Sequence, residues 1–106
     1  MTDNHITAKE LHDLISKGMS ETIVVDVRTE EEFKKGAISG AINIPVDKLA
    51  LLSSRLFAYN KIYLYCLSGG RSEFALNQLP SLGVKGEIYN LTSGLLAWRK
   101  EGYSLV

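Results

Sequence analysis

The chain has 106 residues, with 12 basic side chains against 12 acidic ones and a hydrophobic fraction of 45%. This is the size of one domain with one core, so residues 1–106 read as a single domain, and the balanced charge argues against a nucleic-acid or membrane-surface partner. A single cysteine, Cys66, rules out an internal disulfide and a cysteine-based zinc cage. His5 and His12 are the only histidines and neither belongs to a metal-binding motif, so no metal site is expected. No apolar run reaches the ~18 residues of a membrane span. The opening Met1-Thr2-Asp3-Asn4-His5 lacks the basic start and apolar stretch of a secretion signal, which makes a cytoplasmic location the expectation.

The first element is a helix. Thr7-Ala8-Lys9-Glu10 has the form of a capping box, Leu11, Leu14 and Ile15 recur at helical spacing, and Gly18 ends the run. His12 lies off that stripe and reads as a solvated side chain. Ile23-Val24-Val25-Asp26-Val27 is almost continuously β-branched, as in a strand buried on both faces of a parallel sheet. Thr29-Glu30-Glu31-Glu32 repeats the capping-box form and predicts a short helix ending near Gly36. Ala41-Ile42-Asn43-Ile44 reads as a short strand stopped by Pro45, and Asp47 as the cap of a helix carrying Leu49, Leu51, Leu52 and Leu56.

Next come a strand, Ile62-Tyr63-Leu64-Tyr65, and a helix from Ser72 to Leu79 with Phe74, Ala75 and Leu79 as its apolar contribution; Pro80 should end or kink it. Glu87-Ile88-Tyr89-Asn90-Leu91 is a last strand. Thr92 or Ser93 caps a final helix holding Leu95, Leu96 and Trp98, which Gly102 closes. Strands alternating with helices imply a mostly parallel α/β sheet covered on both faces. The turns after Val27, Tyr65 and Leu91 then lie at its carboxyl edge, where open α/β sheets bind ligands.

The strongest chemical signal is Cys66-Leu67-Ser68-Gly69-Gly70-Arg71-Ser72, which joins a strand to a helix. The adjacent glycines open backbone angles that let successive N–H groups form a nest around an anion or a sulfur. A thiol facing a helix amino terminus has its thiolate favoured, so Cys66 reads as a nucleophile. Ser68 adds a hydroxyl donor, and Arg71 a positive charge or an anchor for loop carbonyls. The bland alternative is a buried apolar cysteine beside a Gly-Gly turn. Asp26 and Arg28 end a strand at the same edge. Arg28 is expected to pair with Glu32, four residues on, and Asp26 to accept loop N–H groups rather than act as a base. Trp98 reads as core, with its indole N–H in need of a partner.

These pieces, in order, resemble a single-domain rhodanese, a thiosulfate:cyanide sulfurtransferase module. The resemblance runs over residues 7–105. It rests on Asp26-Val27-Arg28, Glu32-Phe33, Gly36-Ala37-Ile38-Ser39-Gly40-Ala41-Ile42-Asn43-Ile44-Pro45, the Cys66 loop, and Ser93-Gly94-Leu95-Leu96-Ala97-Trp98. It implies a three-layer fold with about five parallel strands, and a persulfide on Cys66 held by the loop from Leu67 to Ser72. The implied donor is a small sulfur-containing anion or a persulfide, the implied acceptor a thiol or a protein, and the implied cycle needs no metal or organic cofactor. Related phosphatases and arsenate reductases resemble C-x5-R, whereas here four residues separate Cys66 from Arg71, and Tyr65 precedes the cysteine where the phosphatases usually have histidine. A non-catalytic interaction module of the same fold is the other alternative. Leu67 stands where many members carry a basic residue, Ala37 where histidine is common and Ser93 where glycine is common. The first of these points to a persulfide rather than thiosulfate as the natural donor.

Overall fold

The computed structural model describes residues 4–106; Met1, Thr2 and Asp3, read above as part of a start without a leader, lie outside them. Five parallel strands, β1 (His5–Ile6), β2 (Thr22–Asp26), β3 (Ile42–Asn43), β4 (Lys61–Tyr65) and β5 (Glu87–Leu91), form one sheet in the order β1-β5-β4-β2-β3. The α-helices are α1 (Ala8–Ser16), α2 (Glu30–Lys34), α3 (Leu49–Leu52), α4 (Gly70–Gln78) and α5 (Gly94–Lys100). This is the expected α/β architecture.

Strand β4 is central. It pairs with β2 from Lys61 with Thr22 to Tyr65 with Asp26, and with β5 from Lys61 with Glu87 to Leu64 with Asn90. A strand bonded on both edges and covered on both faces must be apolar throughout, which is why Ile62 to Tyr65 carries no charge. Side chains alternate across it. Ile62, Leu64 and Cys66 join Val25, Ile44, Leu49, Leu56, Ala75, Leu79 and Ile88 on one face. Tyr63 and Tyr65 join Val24, Leu11, Leu91, Leu95 and Trp98 on the other. Helices α3 and α4 therefore cover the first face, α1 and α5 the second.

Both capping boxes form as read: Thr7 with Glu10, and Thr29 with Glu32. Other readings need correction. The helix expected from Asp47 is broken into a 3-10 turn (Val46–Lys48), α3 and a second 3-10 turn (Ser53–Leu56). Asp47 lies inside the first turn and caps nothing, and Leu51 points to solvent because the leucine spacing does not hold one helical stripe. Helix α4 starts at Gly70, so Ser72 is buried in its first turn rather than at its start. Its buried stripe is Ser72, Ala75 and Leu79, while Phe74 is 55% exposed. Pro80 opens a 3-10 turn (Leu79–Leu82), where its missing N–H costs nothing. The two-residue strand β1 is too short to carry a periodic signal. His12 is stacked on Tyr103, with ring centroids 3.8 Å apart, rather than solvated.

Candidate active site

The sulfur of Cys66 lies where β4 hands the chain to α4, and the residue is 1% exposed. Gly69 adopts φ +109°, a left-handed angle that side chains strain to reach, and this turns the chain back over the sulfur. The Gly69 N–H then donates to Sγ at 3.1 Å and the Ser72 N–H at 3.4 Å. Gly69 holds the N-cap position of α4 but has no side chain to satisfy the free N–H groups of the first turn. Sγ takes that part, so the amino end of α4 is capped by the thiol itself.

The hydroxyl nearest the sulfur belongs to Ser72, 3.4 Å from Sγ; Ser68, expected to supply a hydroxyl, is exposed on the rim. The same hydroxyl donates to Asn90 Oδ1 at 2.5 Å. Asn90 Nδ2 donates to Glu73 at 2.9 Å and to the Gly69 carbonyl at 3.2 Å, and Glu73 in turn meets His5 at 2.7 Å. Burial pushes the Cys66 thiol up, but the Ser72 hydroxyl and the amides of Ser72, Gly69 and Ser68 outweigh it, so the thiol titrates below its ordinary value.

Helix α5 shapes the loop from beneath. The Leu95 and Leu96 N–H groups donate to the carbonyls of Cys66 and Leu67 at 2.9 and 3.1 Å. Those carbonyls are thereby engaged by the helix. The approach needs glycine at 94: a Cβ there would sit 2.4 Å from the Cys66 carbonyl oxygen and 2.7 Å from that of Leu67, at φ +52°.

Asp26 and Arg28 form a buried pair, with Arg28 Nη2 2.7 Å from Asp26 Oδ2 and 2.6 Å from the Gly36 carbonyl. Asp26 also accepts the Arg28 backbone N–H at 2.8 Å, the loop contact expected of it. The expected Arg28–Glu32 pair does not form. The bend after β2 brings Asp26 onto Arg28, and Glu32 turns instead to Arg71, at 2.7 and 3.2 Å. Gly70 and Leu67 complete the rim, Leu67 being 37% exposed. Among the described residues no group of three His, Cys, Asp or Glu side chains could hold a metal ion.

The pattern of the rhodanese-like domain matches residues 7–101. The chain belongs to the rhodanese-like family. It is similar to a sulfurtransferase of Allochromatium vinosum, 31% identical over 86 residues that cover 81% of this chain and 79% of that one. It is also similar to the chloroplastic thiosulfate sulfurtransferase 16 of Arabidopsis thaliana, 36% identical over 103 residues, covering 86% and 82%. Among solved structures, a rhodanese-related protein of Thermoplasma volcanium superimposes with a TM-score of 0.83 at 32% identity, covering 97% of both chains.

Two residues of this rhodanese-like site escaped the sequence reading in their actual roles. Asn90 had a signal: with Ile88 it falls on the α4 face of β5, so a polar side chain stood alone on an apolar face. Glu32 was assigned to Arg28, and its real partner lies 39 residues away, where no local spacing could reveal it. One surface concavity, of about 630 Å³ and lined by residues that include Asn4, Pro80 and Glu87, does not include the Cys66 loop.

Proposed function

We propose that this rhodanese-like domain is a sulfurtransferase that carries sulfane sulfur as a persulfide on Cys66. The reading is supported by one observation above the rest: two backbone N–H groups and the Ser72 hydroxyl converge on one buried thiol at the start of α4. The Cys66 thiolate attacks the outer sulfur of thiosulfate or of a persulfide donor. A bond forms between Sγ and that sulfur, the donor's own S–S bond breaks, and its electron pair leaves with sulfite or with the donor thiolate. The N–H groups that cap α4 stabilise the anionic persulfide. An acceptor such as cyanide or a thiol then attacks the outer sulfur, and the Cys66 thiolate returns as leaving group. No external oxidant or reductant is consumed.

Leu67 presents an apolar side chain at the rim, which favours a persulfide on a small thiol or a protein over thiosulfate as donor. The acceptor is a thiol or a protein, and the proposed setting is the cytoplasm. No helix among the described residues is long and apolar enough to cross a membrane. Intact-mass measurement tests the reading. Incubation with thiosulfate or inorganic polysulfide is expected to add one sulfur atom to the wild type and none to Cys66→Ser, and cyanide should strip it as thiocyanate. A folded protein that takes up no sulfur from either donor would be a non-catalytic interaction module. Hydrolysis of an aryl phosphate would assign the loop to phosphoryl chemistry instead.

A further inference from the structure

Two arginines stand at the carboxyl edge of the sheet, and both are committed. The charge of Arg28 is matched by Asp26 inside the protein. Arg71 closes the Cys66 loop and is the one cation among residues 66–72. Its two guanidinium nitrogens meet the two oxygens of Glu32 at 2.7 and 3.2 Å, a fork-to-fork geometry that fixes both groups. Glu32 is held a second time, by the Thr29 N–H at 3.1 Å and the Thr29 hydroxyl at 3.2 Å. Hydrogen bonding to Arg71, with help from Thr29, keeps the carboxyl ionised down to about pH 2 against the partial burial that opposes it. The pair is therefore present and neutral at every working pH.

A donor reaching Cys66 meets a thiolate. Thiosulfate carries two negative charges, so attack on it brings like charges together, and a site that selects it needs a cation left uncompensated. This loop has backbone dipoles and an apolar rim at Leu67, but its arginine is already matched. We propose that Glu32 is a specificity-determining residue: by neutralising Arg71 it disfavours doubly charged inorganic donors and leaves the site to the sulfane sulfur of an organic persulfide. The inference rests on the persulfide reading above.

Glu32→Gln is the informative variant, because glutamine at this position still completes the capping box with Thr29 and so preserves α2. The rate of Cys66 persulfide formation from thiosulfate is read across pH, up to the plateau where the thiol is fully ionised, so that altered thiolate fraction drops out. There kcat/KM for thiosulfate is expected to rise about 3- to 10-fold at low ionic strength, chiefly through KM, and the gain to shrink as salt is added. The double variant E32Q/R71Q should lose that gain. Glu30→Gln removes a charge from the same helix, at a carboxylate paired with Lys48, and should leave thiosulfate kinetics at the wild-type level. In the wild type itself the plateau rate should stay flat or rise with ionic strength. A wild-type rate that falls steeply with salt, or an E32Q rate that is unchanged or insensitive to salt, overturns the proposal. If polysulfide loads Cys66 but E32Q brings no gain, this inference alone fails. If neither donor loads the wild type, the persulfide reading fails and takes this one with it.

Discussion

Ser72 has one hydroxyl proton and three acceptors in reach of it: Asn90 Oδ1, the Gly69 carbonyl at 3.2 Å and the Cys66 sulfur. In the thiol form the 2.5 Å contact to Asn90 Oδ1 claims the proton, and ionisation of Cys66, 3.4 Å away, creates a competing acceptor. Among the groups that lower the thiol, the Ser72 hydroxyl ranks ahead of the amides. Removing it leaves burial less opposed. Ser72→Ala should therefore move the thiol's titration upward, reduce the thiolate present at neutral pH and slow sulfur loading there by roughly 3- to 10-fold. The loss should vanish at high pH, where both proteins are fully ionised. The pH dependence of loading checks this, and a profile that does not move would leave the amides as the sole source of activation.

At the scale of elements, the site is built by helix ends. Helix α4 aims its free N–H groups at the sulfur and α5 aims its own at the carbonyls of Cys66 and Leu67. The second arrangement depends on Gly94. In Gly94→Ala the new methyl would collide with two backbone carbonyls at a left-handed φ, at a cost of roughly 2–4 kcal/mol and with the loop displaced. Urea unfolding measures the first effect, and sulfur loading of the protein that remains folded measures the second.

Elements whose determinants sit within one turn were legible in the sequence. Both capping boxes need only four consecutive residues, and β4 announces itself because a doubly buried strand has no polar face. The thiol's place at a strand-to-helix join followed from the two glycines after it. What stayed hidden depends on contacts between distant segments. Four-residue spacing suggested Arg28 with Glu32, but Asp26 reaches back across the bend and Arg71 arrives from another helix. The sequence puts the start of α4 at Ser72 and the cap of α5 at Thr92 or Ser93, whereas the N-cap positions are held by left-handed residues, Gly69 and Ser93, and neither makes a side-chain cap bond.

Across the whole molecule, residues 103–106 tie the two ends of the site's support together. The Val106 N–H and carbonyl both bond Ala37, at 2.8 and 3.1 Å, and the Ser104 carbonyl accepts the indole N–H of Trp98 at 3.1 Å. The adjoining Gly36 carbonyl anchors Arg28, and the Ile38 N–H donates to the Tyr65 hydroxyl at 3.1 Å. Deleting residues 104–106 is expected to destabilise the domain by roughly 2–4 kcal/mol through loss of three hydrogen bonds and the packing of Leu105. Hydrogen exchange at Ala37 and Ile38 should quicken at the same time. A deletion that left both the urea midpoint and those amides unchanged would show the segment to be ornamental.

The single tryptophan gives this architecture a built-in optical probe. Trp98 is buried beside Tyr103 on the α1 and α5 side of the sheet, whereas Cys66 belongs to the side covered by α3 and α4. Its emission therefore reports the loss of one packed layer, while far-ultraviolet circular dichroism sums over both. Where the two signals trace a single denaturation curve, the layers melt together and one free energy describes the domain. Where they separate, the fluorescence identifies which side of the sheet gives way first.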